Sequence, residues 1–144
     1  MLLLFPAGAA ALVLAAVATP TFVRTTPSKN RPITTASLAI VSPAAGATTG
    51  PDVTVKLRLT GGQVVAPTNV VATRLPNNKG HIHVLVDGKL VSMAYGLEQP
   101  IKGLSAGPHV IEVEFVALDH APFRNPVRAA VPFTVASPAP PPSQ

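Results

Sequence analysis

The chain has 144 residues, enough for one domain of ordinary size. Its 17 prolines are more than twice the number expected at a usual ~5%, while charged residues make up only 12%, against a usual ~25%. With no cysteine and a net charge of +5 carried by scattered Lys and Arg, this composition excludes a helical bundle, a disulfide scaffold and a Cys-based zinc finger, and it disfavours nucleic-acid binding.

The N-terminal residues 1–23 carry no charged side chain and are mostly Leu, Ala and Val. As a helix, residues 2–23 would reach about 33 Å at ~1.5 Å per residue, enough to cross a bilayer core. The pattern Ala16-Val17-Ala18 is typical of a signal-peptide cleavage site, with Thr19 as the mature N-terminus. The segment is therefore interpreted as a cleaved signal peptide or a retained transmembrane anchor. Either predicts an extracytoplasmic domain, although the basic residues of 24–31 favour the opposite orientation by the positive-inside rule.

Composition divides the rest of the chain into three parts. Residues 24–35 are rich in Thr, Pro, Ser and basic side chains and are predicted to be a flexible linker. Residues 137–144 form a Pro-rich tail that is predicted to be disordered. The folded domain is therefore expected to occupy residues 36–136.

Apolar residues in the domain alternate with a period of two, as in half-buried strands. The pattern predicts strands at 36–42, 52–60, 81–86, 89–94, 99–104, 107–118 and 127–135, and it allows a further short strand at 69–73. Asp87-Gly88 is a strong hairpin signal. About seven short strands with Gly/Pro turns predict an all-β, immunoglobulin-like antiparallel β-sandwich, preceded by one N-terminal hydrophobic helix. Its core should be aliphatic, with Phe115 and Phe133.

Several motifs resemble those of known domains. Val41–Gly46 with Gly50-Pro51 resembles the opening of many bacterial immunoglobulin-like domains, and Leu104–His109 resembles their penultimate strand. More narrowly, residues 80–135 are similar to a family of exported bacterial domains of unknown function that carry a Gly-His-x-His strand and a His-x-Pro turn. The matching residues are Gly80–Asp87, Gly107, His109, Asp119, His120, Pro122 and Pro126-Val127. The resemblance implies the fold and export, and no particular activity. The chain departs from the pattern in lacking three consecutive histidines and in having Phe123 where a further histidine is often found.

The predicted topology decides which of the four histidines can meet. In immunoglobulin order, 81–86 is strand C and 107–118 is strand F, and these two strands are antiparallel neighbours. His81 and His83 begin strand C and His120 follows strand F, so the three should lie at one end of the sheet, on its outer face by parity. His109 begins strand F, ~30 Å of strand away at ~3.3 Å per residue, and is predicted to be structural.

Three imidazoles with a nearby carboxylate suit zinc or copper. The predicted metal ligands are therefore His81, His83, His120 and Glu114. The alternative is ordinary polar surface, with His120 bonded to the backbone of its loop. Met93 is expected to lie in the core or to pack half-buried in the hairpin, although its thioether could bind Cu(I). By the same parity, Glu112 and Glu114 are expected to be solvated charges.

No combination of nucleophile, base and oxyanion-stabilising groups can be assembled, so the sequence predicts that the protein is not an enzyme. The leading hypothesis is a non-catalytic exported binding or accessory module with a protein partner. If residues 2–23 are retained in the membrane, it would be a small subunit of a larger membrane complex. The alternative is a periplasmic copper- or zinc-binding protein that uses His81, His83 and His120. No other cofactor is expected.

Overall fold

A computed structural model describes residues 18–20, 26–66 and 74–139. Within these ranges the chain forms nine strands and no helix. The strands are β1 (Ser37–Ser42), β2 (Thr48–Thr49), β3 (Val53–Thr60), β4 (Gln63–Val64), β5 (Lys79–Val86), β6 (Lys89–Ala94), β7 (Glu98–Ile101), β8 (Gly107–Ala117) and β9 (Pro122–Val135). The seven predicted strands are all present. The two-residue strands β2 and β4 were not predicted, because two residues are too few to show a period.

Two sheets pack face to face. One contains β1, β3 and β7, and the other has the order β2-β9-β8-β5-β4, with β6 also paired to β5. In immunoglobulin notation β1, β3 and β7 are strands A, B and E, and they lie opposite A′, G, F, C and C′, which are β2, β9, β8, β5 and β6. The two-residue β4 is an additional short strand beside β5. The predicted all-β, immunoglobulin-like sandwich is therefore confirmed. The predicted N-terminal helix and the strand allowed at 69–73 fall wholly or largely outside the described residues.

The core between the sheets follows the predicted alternation. Ile82 and Val84 of β5 and Ile111, Val113 and Phe115 of β8 are each 0% exposed. Phe133 is buried, as predicted, and so is Phe123. The Phe123 ring stacks on Phe115 with 5.3 Å between the ring centroids. The position at which the resembled family often has a histidine is thus a core position in this chain.

The pairing of β5 with β8 brings the start of β5, with His81 and His83, beside the end of β8, which His120 follows. The two strands pair antiparallel, with His81 opposite Val116 and His83 opposite Glu114. Gly80 allows the close approach of the strands at this end, because a Cβ on Gly80 would lie 1.8 Å from the carbonyl oxygen of Val116. Any side chain here would push β5 away from β8 at the residue that precedes His81.

The structure places the second half of the predicted linker 24–35 against the sandwich. The guanidinium of Arg31 pairs with Asp119 and donates to backbone carbonyls of the 119–122 turn. Thr34 is 3% exposed. Its backbone amide donates to Oδ1 of Asn125, and Nδ2 of Asn125 donates to its carbonyl oxygen. The packed domain therefore begins upstream of the predicted boundary. Composition favoured a linker because it cannot show partners that lie about 90 residues away in sequence.

Two predictions about the ends of the chain concern residues that are only partly described. Residues 1–17 and 21–23 of the predicted leader, 24–25 of the predicted linker and 140–144 of the predicted tail lie outside the described ranges. In the part of the chain that the structure describes, no helix is long and apolar enough to cross a membrane.

Candidate metal centre

Three imidazoles converge at one end of the β5–β8 pair. His81 and His83 alternate along β5 and point to the same face, and His120 lies in the turn between β8 and β9. Their ligand nitrogens all lie within 4.8 Å of one another. The Nε2 atoms of His81 and His83 are 3.2 Å apart. The structure thus brings together the three histidines that the sequence predicted.

The spacing of these two nitrogens suits a tetrahedral ion. With metal–nitrogen bonds of about 2.0–2.1 Å, a tetrahedral zinc ion holds two ligand nitrogens about 3.3 Å apart. The observed separation of 3.2 Å between His81 and His83 is within 0.2 Å of this value. These two rings need little movement to share an ion, and His120 has to approach them to complete the set.

The cluster is less exposed than an outer sheet face suggests. His81 is only 1% exposed, because its ring is covered by neighbours on the same face. The His120 ring lies 4.3 Å from it, edge-on, and the Tyr95 ring lies 5.6 Å from it, measured between centroids. His83 is half-buried and His120 is exposed. The alternative of ordinary polar surface therefore does not describe His81.

Burial and mutual repulsion keep the two strand histidines neutral. Burial, followed by the charges that His120 and His83 would carry, lowers the pKa of His81 to about 4. Burial and then His120 lower the pKa of His83, while Glu114 acts weakly in the opposite direction. Because only a neutral imidazole has a lone pair for a metal, neither ring has to lose a charge to bind at neutral pH. An ion shared by the two Nε2 atoms replaces the proton of the hydrogen bond between them.

His120 is held by a tight turn with an unusual backbone. Its φ of 64° lies in the left-handed region, which is uncommon for residues other than glycine. The His120 amide donates to the carbonyl of Ala117, and the Ala117 amide donates to the carbonyl of Ala121. The parity argument for strand F does not extend to this turn. The turn itself brings His120 back over β5.

Arg31 supports this turn from outside β8 and β9. It pairs with Asp119, which immediately precedes His120, and donates to the carbonyls of Ala121 and Pro122. This contact raises the pKa of Arg31 and lowers the pKa of Asp119. The composition of residues 24–35 predicts a flexible linker and gives no sign of this role of Arg31, because a single basic residue carries no local signal of its partner.

Glu114 lies beside the cluster but is engaged elsewhere. It is opposite His83 in the β5–β8 register, as the prediction of a nearby carboxylate requires. Its Oε1 accepts a hydrogen bond of 2.8 Å from Nε of Arg128. The group of three ligand atoms that could hold an ion does not include it. The structure therefore separates Glu114 from the three predicted histidine ligands.

The hairpin strand β6 and the turn that follows it each provide a further side chain beside the cluster. Met93 is directly opposite His83 in the β5–β6 register, and Tyr95 lies against His81. Both are partly exposed, at 41% and 44%. Met93 is therefore not a core residue, and its thioether lies on the strand next to a predicted ligand.

His109 is at the other end of β8 and is structural, as predicted. Its Nδ1 lies 2.6 Å from Oδ2 of Asp87, and its Nε2 lies 2.7 Å from the carbonyl oxygen of Ser105. Asp87 also accepts from the backbone amide of Val110. The histidine thus connects the β5–β6 turn to the start of β8.

The prediction of solvated glutamates on β8 is wrong. Glu112 is 1% exposed, and neither of its carboxylate oxygens has a hydrogen-bond partner among the described residues. Glu114 is paired with Arg128. Parity along a strand correctly predicts that these side chains point to the outer face of the sheet. It does not show whether another segment of the chain covers that face.

The fold and site together describe an immunoglobulin-like sandwich with a three-histidine cluster at one end. No family model matches the chain, and no curated protein matches it, so the resemblance of residues 80–135 stays a prediction. Two solved structures are similar in fold. The fibronectin(III)-like modules of Clostridium thermocellum CbhA are 15% identical with a TM-score of 0.48, covering 72% of this chain and 48% of that chain. The PKD domain of human KIAA0319 is 16% identical with a TM-score of 0.45, covering 84% and 98%.

Proposed function

We propose that this domain is a non-catalytic, exported metal-binding module with His81, His83 and His120 as its protein ligands. The observation that supports the proposal is the convergence of three imidazoles, whose ligand nitrogens all lie within 4.8 Å of one another. The first two Nε2 atoms are 3.2 Å apart, which is the length of a hydrogen bond between the rings and is also close to the ligand spacing of a tetrahedral ion. The left-handed backbone of His120 is a strained conformation, and such conformations are typical of functional positions.

Three protein ligands suit an accessible metal rather than a closed structural site. Structural zinc sites use four protein ligands, whereas three leave one position of a tetrahedral ion for water or another ligand. Zinc and copper both accept imidazole, and Met93 beside His83 adds a soft ligand type that favours Cu(I). The proposed cargo is therefore zinc or copper, with Met93 as the residue that distinguishes them.

Isothermal titration of the purified full chain with Zn²⁺ and Cu²⁺ tests the proposal. We expect a single site, and we expect replacement of His81, His83 or His120 by Ala to weaken affinity at least about tenfold. His109→Ala is the matched control, because His109 lies at the opposite end of β8 and should leave affinity unchanged in the folded variant. Binding weaker than about 100 µM, worth only ~5.5 kcal/mol, would contradict the proposal.

A second candidate function is docking to a protein partner, as an accessory module. Its specific support is β6, an edge strand that pairs only with β5 among the described strands. Exposed apolar side chains occur on β6 and the turn after it, namely Leu90, Val91, Met93, Tyr95 and Leu97. An exposed apolar edge of this kind accepts an extended strand from another chain.

Site-specific photo-crosslinking in the intact host membrane tests this second candidate. A crosslinker at Val91 on β6 should capture one defined partner that a crosslinker at Lys102, just beyond β7 on the other sheet, does not capture. We expect Leu90→Lys to abolish that product while leaving metal binding intact. Equal crosslinking patterns from both positions would contradict docking at β6.

A further inference from the structure

A small cavity of about 200 Å³ lies on the outer face of the large sheet, at the opposite end of β8 from the histidine cluster. It is lined by Glu112 and Val110 of β8, by Asp87 and Gly88 of the β5–β6 turn, and by Ala18 and Thr19. Ala18 and Thr19 therefore lie on the same face of the sheet as Glu112. This contact links the predicted leader to a charged residue of the sandwich.

The cavity contains a carboxylate without a partner. Glu112 is 1% exposed, and both of its carboxylate oxygens lack a hydrogen bond among the described residues. Asp87, the other acidic residue of the cavity, is already paired with His109. Burying an unpaired carboxylate is costly, because the group loses its water without gaining a donor. The cavity thus has the chemistry of a site for one cationic group.

The sequence supplies such a group at this position. Ala16-Val17-Ala18 matches the small-x-small pattern that precedes a signal-peptide cleavage site, and the next residue is Thr19. Cleavage there would create an α-amino group on a residue that already lines the cavity. Ala18, which is half-buried and lines the cavity, leaves with the cleaved segment, so its place in the cavity becomes free for the new terminus.

We propose that the chain is cut between Ala18 and Thr19 and that the resulting α-ammonium of Thr19 pairs with the Glu112 carboxylate. A signal-type endopeptidase adds one water across the peptide bond, which leaves a carboxylate on Ala18 and an amine on Thr19. The amine takes a proton from solvent and becomes the donor that Glu112 lacks. The pair fastens the new terminus to β8. It is independent of metal binding, because the histidine cluster is at the other end of that strand.

The test begins with the full chain exported from a bacterial host. Intact mass and N-terminal sequencing should show a protein that starts at Thr19. The purified protein is then treated near pH 7 with a limiting amine-acylating reagent, and the labelled peptides are quantified by mass spectrometry. A free α-amine, with a usual pKa of about 7.7–8.0, reacts faster than lysines with a usual pKa of about 10.4.

In the wild type, pairing with Glu112 should slow labelling of the Thr19 amine at least tenfold relative to Glu112→Gln. Glu98→Gln is the matched control, since Glu98 is an exposed residue paired with Lys56 on the other sheet. In wild type unfolded in urea the pair cannot form, so the Thr19 amine should be labelled faster than in folded wild type. This gives the same comparison without a substitution. A first residue other than Thr19, or equal labelling rates in wild type and Glu112→Gln, would overturn the proposal.

Discussion

The two ring nitrogens of His109 both face oxygen acceptors, with Nδ1 2.6 Å from Oδ2 of Asp87 and Nε2 2.7 Å from the carbonyl of Ser105. A neutral imidazole has one N–H and can satisfy only one of them, whereas the imidazolium satisfies both. Burial lowers the pKa of His109, but the contacts with Ser105 and Asp87 outweigh it, so the pKa is raised overall. The folded structure therefore favours the protonated form of His109.

Stability should therefore depend on pH through His109. A histidine whose pKa is raised on folding contributes stability that is fully present below its ordinary pKa of about 6.5 and is lost as pH rises through the raised value. We expect His109→Gln to cost about 1 kcal/mol more at pH 5.5 than at pH 9, a modest value because Asp87 is partly exposed. Urea unfolding at both pH values measures it. An equal cost at both would contradict the assignment.

His81 should show the opposite dependence. Its pKa falls to about 4 on folding, so its contribution is present above the ordinary value of about 6.5 and is lost as pH falls toward 4, by up to about 3 kcal/mol. Without metal, ¹⁵N NMR should show a neutral His81 ring down to about pH 5, and His81→Asn should reduce the loss of stability in acid. A ring that titrates near pH 6.5 would show that His81 is solvated.

Gly80 should tolerate no side chain. A Cβ there would lie 1.8 Å from the carbonyl oxygen of Val116, so Gly80→Ala must separate β5 from β8 beside His81. We expect a loss of at least about 2–3 kcal/mol in unfolding free energy and loss of metal binding. Gly96→Ala is the matched control, because nothing lies within 4 Å of its Cβ position. Similar thermal melts for the two variants would be the contrary result.

Arg31 should act on the metal site through the turn that carries His120. Arg31→Ala removes the pairing with Asp119 and two hydrogen bonds to the 119–122 carbonyls, which frees the turn. Loss of an outer support of a metal ligand typically costs 10–100-fold in affinity, so we expect at least a tenfold weaker site with Zn²⁺. Arg31→Lys keeps the charge but not the forked geometry of the guanidinium, so it should recover only part of the Zn²⁺ affinity. Unchanged affinity in Arg31→Ala would exclude the role.

Replacement of Met93 should affect copper binding and zinc binding differently. It lies directly opposite His83, and side chains in such cross-strand pairs have Cβ atoms about 4.5–5.5 Å apart. Met93→Leu conserves volume and removes the sulfur, so Cu(I) affinity should fall about tenfold while Zn²⁺ affinity changes less than about twofold. Competition with a chromophoric Cu(I) chelator measures the first value. Equal loss for both ions would indicate a packing role for Met93.

The fold and the three histidines could be predicted because both depend on regular features. Alternation along β8 predicts which of its side chains lie in the core. Because β5 and β8 are antiparallel neighbours, the start of β5, with His83, must lie beside the end of β8. Arg31 and Glu112 could not be predicted. The partner of Arg31 lies 88 residues away at Asp119, and the burial of Glu112 depends on packing outside the sheet, which no strand period encodes.

The three histidines come from the start of one strand and from the turn that follows its antiparallel neighbour. A three-histidine cluster built this way is portable to other antiparallel sheets. Transplanting it would need a His-x-His strand that starts beside a strand end, followed by a four-residue turn with a left-handed histidine. It would also need a glycine where Gly80 meets Val116, since a host with any side chain there would hold the His-x-His strand too far from the strand that leads into the His120 turn.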